Sequence, residues 1–434
     1  MIGRFSQPGV YRELVRSRYF YRVAFAGALA LVSYLWDRGT GNLSTVGIAL
    51  ASAALNGTPI IWPHPVGMLA SLAAGAPAVP ATFAEASEVL GYDLWQLSQS
   101  GPEAALNETE RTQPALLAAG VAAWRAWTAR GGVDPAAMAG HSLGEITALV
   151  CAGAIGFADA VALVQYRGRV MQEAVPRGVG AMAAVLGLPD DQVEAACAEA
   201  ARGDVVVAVN YNSPGQVVIA GHAAAVERAC EACRARGAKR VVPLPVSVPS
   251  HSPLMLEAAV RLRARLGQVE IRKPRIPVHA FDAGWHDSPE AIRDGLYRQL
   301  FNPVRWSSIV AKMIEAGTTH VVEAGPGKVL AGLVRRAEGG RGLAVFTIDS
   351  AEALEQAWKQ QQKERLPFEK VVVNVVRELA KLNPQSHVHA SELYAALNVI
   401  RRCPPGPMLA LLASRPWFIH VGDLHFRFDD SERA

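Results

Sequence analysis

The chain has 434 residues, of which 50% are apolar and 19% are charged, and its formal net charge is +4. This length predicts two or three domains with a large core, and the composition excludes a globally disordered chain. A net charge this small does not by itself predict binding to nucleic acid. The 5 cysteines do not indicate a disulfide framework, and they favour a reducing compartment. Cys230 and Cys233 form a lone Cys-x-x-Cys in an alanine-rich helical stretch, which favours a structural role over a metal or redox site.

The first 58 residues differ from the rest of the chain. Residues 1–22 contain Arg4, Arg12, Arg16, Arg18 and Arg22 against a single acidic residue, and uncharged runs follow over 23–36 and 39–62. An arginine-rich, acid-poor leader is typical of an organelle transit peptide, whereas the first apolar run is short for a membrane span of about 20 residues. A targeting leader, a membrane anchor and a divergent or misassembled N-terminus all stay open.

Between about residues 66 and 349, helical stretches rich in Ala and Leu alternate with short β-rich runs such as 205–209 and 320–323. Such alternation predicts an α/β fold, in which helices cover a mainly parallel sheet. Within it, residues 178–242 have the order strand, helix, strand, strand, helix, strand, which predicts a smaller inserted unit of the ferredoxin-like kind. The large domain is then predicted in two parts, 59–177 and 243–350.

Beyond the α/β region the composition changes twice. A polar stretch over 351–365 predicts a linker helix. The appendage that follows, residues 366–434, has helical spacing over 368–381 and 391–401, and two β-rich runs over 417–428 predict a hairpin. Helices followed by a terminal hairpin indicate a small winged-helix-like module. An irregular helical appendage is the alternative.

The hexapeptide Gly140-His141-Ser142-Leu143-Gly144-Glu145 carries the strongest chemical signal. A Gly-x-Ser-x-Gly element marks a tight strand-to-helix turn that lifts a serine hydroxyl out of a sheet and aims the next backbone N–H at a reacting carbonyl oxygen. The flanks agree, because 136–139 predicts a short buried strand and 146–150 the start of an apolar helix. Ser142 is therefore a candidate nucleophile, with a plain structural turn as the alternative.

A serine nucleophile needs a base, and His251 is the candidate. It lies in a loop-like segment after an apolar strand, where an imidazole would accept the serine proton and return it to a leaving thiol. Where a triad usually has a carboxylate, the downstream candidate is Gln299, whose backbone carbonyl would hold the imidazole N–H. A histidine with a purely structural role is the alternative.

Arg167 lies in the helical region after the candidate nucleophile. A guanidinium near an acyl-enzyme would bind a free carboxylate through two hydrogen bonds, which selects a dicarboxylic acyl group such as malonyl over plain acetyl. A surface arginine on an amphipathic helix is the alternative.

Over residues 66–345 the chain resembles the malonyl-CoA:acyl-carrier-protein transacylases, the discrete acyltransferases of type II fatty-acid synthesis. The stretches that carry the resemblance are 91–95 (GYDLW), 112–117 (TQPALL), 139–145 (AGHSLGE), 212–221 (NSPGQVVIAG), 250–251 (SH) and 323–330 (EAGPGKVL). The resemblance implies an α/β-hydrolase-like large domain with a ferredoxin-like insertion. It also implies Ser142 as the acylated nucleophile and His251 as base and acid.

The resemblance implies the rest of the site as well. Gln299 would steady His251 through its carbonyl, and the N–H of Leu143 would be one oxyanion-hole donor. In a ping-pong reaction, malonyl-CoA would acylate the serine, and the thiol of holo acyl carrier protein would then take the malonyl group. No metal or redox cofactor is implied. Four residues would bind the substrate: Arg167, Gln113, Met182 and Asn212.

The chain departs from the family just before residue 66. The family has Phe-Pro-Gly-Gln-Gly-Ser-Gln there, and its first glutamine supplies a second oxyanion-hole N–H. This chain has residues 59–65 (PIIWPHP) instead, so without a gap Ile61 takes the glutamine position, and Pro63 and Pro65 remove two backbone donors. Loss of one oxyanion donor costs about a hundredfold to a thousandfold in rate.

Three functions stay open from the sequence. The first is an active malonyl transacylase. The second is a weakened or inactive relative recruited as a structural subunit of a larger protein or ribonucleoprotein assembly through residues 1–65 and 366–434. The third is a serine hydrolase or thioesterase, which would not need Arg167 and normally has a carboxylate in its triad.

Location and partners follow from the same resemblance. CoA and carrier protein occur in the cytosol, the mitochondrial matrix and plastids, so the arginine-rich leader predicts the mitochondrial matrix, with inner-membrane association open, in a eukaryote and the cytoplasm otherwise. The tail offers Arg401, Arg402, Arg415 and Trp417 for RNA or a protein partner. So few basic residues favour a solvated surface over nucleic-acid binding.

Overall fold

The computed structural model describes residues 46–50, 66–246, 248–364, 388–389, 418–422 and 425–428. Contacts divide the chain into two compact units. The larger unit contains residues 45–359, and the second contains residues 1–44 and 360–434. None of the helices in the described ranges has the length and apolar character needed to cross a membrane.

A parallel sheet forms the centre of the larger unit. Its strands are β1 (Val46–Leu50), β2 (Ala137–Gly140), β7 (His320–Ala324) and β8 (Ala344–Thr347), in the order β2-β1-β7-β8. Leu50 of β1 lies opposite Gly140 on one side and Ala324 on the other. The predicted parallel sheet is thus present in the larger unit. Because the strands are parallel, their carboxyl ends share one edge, where α/β sheets bind ligands.

β1 corrects the predicted domain boundary. Residues 46–50 fall within the leader predicted to end at residue 58, but they form the strand between β2 and β7. Their sequence, Val-Gly-Ile-Ala-Leu, suits a strand in a parallel sheet, whose strands are near-continuous apolar runs. A short apolar run of this kind cannot be told from part of an apolar leader by pattern alone. Residues 1–45 and 51–65 lie outside the described residues.

Helices pack around the sheet, and α5 (Thr109–Ala129) is buried along most of its length, with Leu116, Leu117 and Trp127 in the core. Its many alanines allow close approach of neighbouring elements. The helices are α1 (Ala70–Gly75), α2 (Ala78–Leu90), α3 (Leu94–Ser100), α4 (Glu103–Leu106), α5, α6 (Leu143–Cys151), α7 (Phe157–Ala174), α8 (Asp190–Ala201), α9 (Ala223–Ala235), α10 (Leu256–Leu266), α11 (Pro289–Gln299), α12 (Trp306–Glu315), α13 (Val329–Arg336) and α14 (Ala351–Glu364).

A side-chain cap fixes the start of α11, the helix that ends at Gln299. Ser288 accepts a hydrogen bond from the N–H of Ala291, and Pro289 occupies the first helical position, where its missing N–H costs nothing. The apolar residues Ile292 and Leu296 then anchor the helix in the core. The helix therefore delivers Gln299 to a defined place.

After α7 the chain forms a second sheet with its own helices, here named the small subdomain (residues 180–243). Its strands are β3 (Gly180–Leu186), β4 (Val206–Ser213), β5 (Gln216–His222) and β6 (Arg240–Pro243), in the antiparallel order β4-β5-β3-β6. With α8 and α9 between them, they have the element order predicted for 178–242. Cys197, Cys230 and Cys233 are free thiols in the apolar core of this subdomain. Within the described ranges, no group of three or more His, Cys, Asp or Glu side chains is arranged to hold a metal ion.

Two backbone hydrogen bonds join the small subdomain to the segment after α11. The N–H of Tyr211 donates to the carbonyl of Val304 (3.0 Å), and the N–H of Val304 donates to the carbonyl of Val209 (2.9 Å). Both residues on the subdomain side belong to β4. The strand that carries Asn212 is thereby held beside the segment that follows Gln299.

The predicted linker helix is present as α14, and its first part packs on the larger unit. The guanidinium of Arg130 lies 3.6 Å from the ring centre of Trp358 and 3.0 Å from a carboxylate oxygen of Glu355. Leu354 and Ala357 are buried on the same helix. The first part of the predicted linker helix is therefore packed into the larger unit.

In the second unit, the described residues form a small antiparallel sheet. Its strands are β9 (Val388–His389), β10 (Phe418–Gly422) and β11 (His425–Phe428), in the order β10-β11-β9. The predicted terminal hairpin is confirmed by the pairing of β10 with β11. The helices predicted over 368–381 and 391–401, and with them the winged-helix-like module, lie outside the described residues.

Candidate active site

Ser142 stands at a strained turn between β2 and α6. Its backbone has φ 54° and ψ −111°, a conformation that costs a non-glycine residue energy and recurs at functional sites. The turn is so tight that a Cβ on Gly140 would lie 1.9 Å from the carbonyl carbon of Gly144. The predicted strand, turn and helix around Ser142 are therefore confirmed, and the turn requires glycine at 140.

His251, the candidate base, lies beside the hydroxyl of Ser142. Its Nε2 lies 2.8 Å from Oγ of Ser142, and its Nδ1 lies 2.7 Å from the carbonyl oxygen of Gln299. Because a carbonyl only accepts, Nδ1 carries the hydrogen, and the neutral ring offers the Nε2 lone pair to the serine hydroxyl. Burial, followed by the charge of Arg167, lowers the pKa of His251 to about 3. The imidazole is therefore neutral at physiological pH and free to accept a proton.

Arg167 brings a buried positive charge to the same hydroxyl. Its Nη2 donates to Oγ of Ser142 (3.3 Å) and to Oε1 of Gln299 (3.0 Å), and its Nη1 donates to Oε1 of Gln113 (2.7 Å). The residue is only 2% exposed. Burial lowers the pKa of Arg167 to about 10, and the charge of Glu145 acts in the opposite direction. The surface-arginine alternative is excluded by this burial.

Ser142 and Arg167 line a cavity of about 430 Å³. Leu143 also lines it and is the first residue of α6, so its N–H has no carbonyl of a preceding helical turn as partner. That N–H, at the positive end of a helix dipole, suits the predicted role of oxyanion donor. Residues 59–65, where the family has its second donor, lie outside the described part of the chain. Other lining residues are Gln113, Arg167, Met171, Gln172, Arg177, Pro245, Val246, Val248 and Ser250.

Two predicted substrate-binding residues lie elsewhere than the cavity lining. Oδ1 of Asn212 accepts a hydrogen bond from Nε2 of His141 (2.9 Å), the residue before the nucleophile, so Asn212 orients that neighbour. Met182 belongs to an apolar cluster with Val209, Val218 and Leu244 on one face of the small sheet. Both were inferred from the family resemblance, and the described geometry gives them these contacts.

Two polar side chains of the site, Glu145 and His286, were not predicted from the sequence. Glu145 and His286 are buried and hydrogen-bonded to each other beneath the nucleophile. Glu145 had a signal, since an acid at the start of an apolar helix needs a partner when buried. His286 had none, because its partner is 141 residues away along the chain.

Comparison with known proteins places this geometry in a family. Residues 66–369 match the acyl transferase domain family. The malonyl CoA-acyl carrier protein transacylase of Escherichia coli K12 is 59% identical over 272 residues, which are 62% of this chain and 88% of that protein. The chain belongs to the malonyl CoA-acyl carrier protein transacylase family. The resemblance predicted over 66–345 is thus confirmed.

Solved structures of the family agree. An acyl carrier protein S-malonyltransferase from Vibrio cholerae is 50% identical, with a TM-score of 0.69, and the match covers 72% of this chain and 100% of that one. A malonyl-transacylase solved in complex with a holo acyl-carrier protein of a type II PKS is 49% identical, also with a TM-score of 0.69, and covers 73% of this chain. The α/β fold of the chain is therefore that of the family.

Proposed function

We propose that this chain transfers a malonyl group from malonyl-CoA to the phosphopantetheine thiol of holo acyl carrier protein through an ester on Ser142. The observation that carries the proposal is the convergence of a neutral base and a buried cation on one hydroxyl: His251 Nε2 at 2.8 Å and Arg167 Nη2 at 3.3 Å. The names of the relatives, and the carrier protein bound to one of them, support both substrates.

In the first half-reaction the hydroxyl of Ser142 attacks the thioester carbonyl while its proton passes to Nε2 of His251. The carbonyl oxygen gains negative charge, which the N–H of Leu143 and the N-terminus of α6 stabilise. The C–S bond then breaks, and the CoA sulfur takes the proton from His251. The carbonyl of Gln299 holds the other imidazole N–H throughout, 2.7 Å away, and stabilises the transient imidazolium.

The second half-reaction runs the same steps in reverse. His251 accepts the proton of the phosphopantetheine thiol, and the sulfur attacks the ester carbonyl. The bond to Oγ of Ser142 breaks, and Oγ recovers its proton from the imidazolium. The serine and the base end in their starting states, so the two thioester partners suffice. That the reaction needs no metal or redox cofactor stays a prediction.

Arg167 accounts for the choice of acyl group. The guanidinium is buried, and its hydrogen-bond partners among the described residues are neutral: the amide oxygens of Gln113 and Gln299 and the hydroxyl of Ser142. A malonyl carboxylate supplies a negatively charged partner and an acetyl group does not. A serine hydrolase would have no use for this cation, and the triad here uses a carbonyl where hydrolases normally have a carboxylate.

Other parts of the proposal concern architecture and context. The β4-β5-β3-β6 order with two helices supports a ferredoxin-like small subdomain, and the elbow at Ser142 supports an α/β-hydrolase-like large one. A mitochondrial location, and assembly with a larger complex through residues 1–65 and 366–434, stay predictions, because most of these residues lie outside the described ranges.

Intact-protein mass spectrometry tests the proposal. We expect a malonyl adduct on the wild-type chain after incubation with malonyl-CoA, no adduct on Ser142→Ala, and discharge of the adduct by holo but not apo carrier protein. A folded wild-type chain without an adduct would refute the transfer. Discharge by water at the same rate with and without carrier protein would assign a hydrolase instead.

A further inference from the structure

A buried carboxylate lies directly beneath the nucleophile and has no part in the steps above. Glu145 is 0% exposed, in the first turn of α6, three residues after Ser142. Its Oε1 accepts a hydrogen bond from Nε2 of His286 (2.6 Å), and its Oε2 accepts one from Nε2 of Gln299 (2.9 Å). Burial of a charged group in this way is costly unless each oxygen is paired.

Glu145, together with the carbonyl of Ser142, fixes which end of the Gln299 side chain faces Arg167. A carboxylate only accepts hydrogen bonds, so the NH₂ group of Gln299 must point to Glu145, and the same NH₂ also reaches the carbonyl of Ser142 (3.0 Å). The amide oxygen of Gln299 is therefore left to accept from Nη2 of Arg167 (3.0 Å). Without the carboxylate, the NH₂ group keeps only the carbonyl of Ser142 as its acceptor, so the orientation of the amide is held less firmly.

His286 holds the carboxylate in place from the other side. Its ring is 3% exposed and lies against α11, where a Cβ added to Gly295 would be 2.6 Å from its Cε1. The absence of a side chain at Gly295 lets the Cε1 edge of the ring approach the same helix that ends at Gln299. His286, Glu145 and Gln299 are thus three linked groups, anchored on α11 and α6.

We propose that Glu145 and His286 form a positioning pair that fixes the Gln299 amide, and through it Arg167, so that the site prefers an acyl group with a free carboxylate. Neither Glu145 nor His286 lines the cavity, and the pair acts through Gln299. This inference rests on the proposed malonyl transfer. The negative charge of Glu145 supports it further, because it partly offsets the cost of burying the Arg167 cation.

The test compares malonyl-CoA with acetyl-CoA as acyl donors to Ser142, using the full chain. Glu145→Gln keeps the size of the side chain but offers one accepting oxygen to two donors, His286 and Gln299. We expect the ratio of kcat/KM for malonyl-CoA to that for acetyl-CoA to fall by about tenfold to a hundredfold, the range for losing a hydrogen bond to a charged group. The change should lie mainly in KM for malonyl-CoA.

Substitutions at His286 give a second, independent measurement that leaves the carboxylate in place. His286→Gln keeps an N–H donor near the position of Nε2 and is expected to retain the malonyl preference. His286→Leu removes the donor and is expected to reduce it. This pair keeps the inference testable if Glu145→Gln does not fold.

Glu323→Gln is the matched control for loss of a buried carboxylate. Glu323 is also 0% exposed, but it accepts hydrogen bonds from the N–H groups of Leu330 and Ala331 at the start of α13. We expect this variant to lose thermal stability and to keep the malonyl-to-acetyl ratio.

The outcomes separate the two proposals. If the wild-type chain forms a malonyl adduct but Glu145→Gln and His286→Leu lose only stability, as Glu323→Gln does, the positioning role is overturned and the transfer stands. If the wild-type chain forms no malonyl adduct, both fall. A lowered ratio in Glu145→Gln and His286→Leu, together with an unchanged ratio in His286→Gln and Glu323→Gln, supports the pair.

Discussion

Replacing Arg167 by methionine is expected to separate activity from stability. Burial lowers the pKa of Arg167 from 12.5 to about 10, so the fold holds the charged guanidinium at a cost of about 3 kcal/mol. Methionine removes that cost. It also leaves Oε1 of Gln113 and Oε1 of Gln299 without their donor, at about 1–3 kcal/mol each. The two effects oppose each other.

The net change in unfolding free energy then lies between a gain of about 1 kcal/mol and a loss of about 3 kcal/mol. Catalysis has no such compensation. Losing the partner of a desolvated carboxylate costs about 2–5 kcal/mol, which corresponds to a fall in kcat/KM for malonyl-CoA of about thirtyfold to a few thousandfold. Acetyl-CoA has no carboxylate to lose, so its kcat/KM is expected to stay constant or rise.

Urea unfolding and acylation kinetics with both thioesters measure these quantities on the same preparations. Arg169→Met is the matched control, because Arg169 lies two residues further along α7 and is exposed. We expect it to leave both donors and the stability unchanged. Equal losses for malonyl-CoA and acetyl-CoA in Arg167→Met, or a loss that follows the unfolded fraction, would refute the reasoning.

Two other predictions concern pH and the turn at the nucleophile. Burial lowers the pKa of His251 to about 3 and that of His141 to about 4, both below the ordinary 6.5, so the unfolded chain binds protons that the fold does not. The contribution of these two imidazoles to the free energy of unfolding is therefore fully present above about pH 6.5, and below that pH it falls by about 1.4 kcal/mol per pH unit for each imidazole. Urea titrations at several pH values should show a shallower fall in His141→Asn than in the wild type. An equal slope in the two proteins would contradict this account. Gly140→Ala places a Cβ 1.9 Å from the carbonyl carbon of Gly144 and should lower the free energy of unfolding by about 3 kcal/mol in the same titration. Gly342→Ala is the control and should cost little, because no atom lies within 4 Å of the added carbon. Equal losses in the two variants would contradict the role of crowding at the turn.

The candidate catalytic residues could be predicted from the sequence by local pattern, side-chain chemistry and family resemblance. Ser142 lies in a turn motif whose glycine spacing is dictated by backbone crowding. Gln299 and His251 lie 48 residues apart; the need of an imidazole for an acceptor suggested the pairing and the family resemblance implied it, and their atoms lie 2.7 Å apart. For Arg167 the chemistry of a guanidinium suggested the role, and burial beside Ser142 supports it.

Contacts between residues that are far apart in the chain could not be predicted from the sequence. Glu145 and His286 meet through the packing of α6 against the region before α11, and no periodicity of either segment encodes that meeting. β1 was placed in the leader because an uncharged run has the same pattern in a transit peptide and in a strand of a parallel sheet. Met182 was assigned to the substrate from the resemblance, whereas a methionine between apolar neighbours at alternate strand positions more simply packs in a core.

The position of β1 limits how the N-terminus can be processed. β1 is the link between β2, which leads to the nucleophile, and β7, and each edge of β1 is hydrogen-bonded to one of them. A protease that removed a presequence at residue 58 would take this strand away and leave two unpaired edges facing a gap, next to Ser142. Maturation of a transit peptide is compatible with the sheet only if the cut falls before residue 46, so the new N-terminus of a mature, active chain marks the true end of any targeting signal.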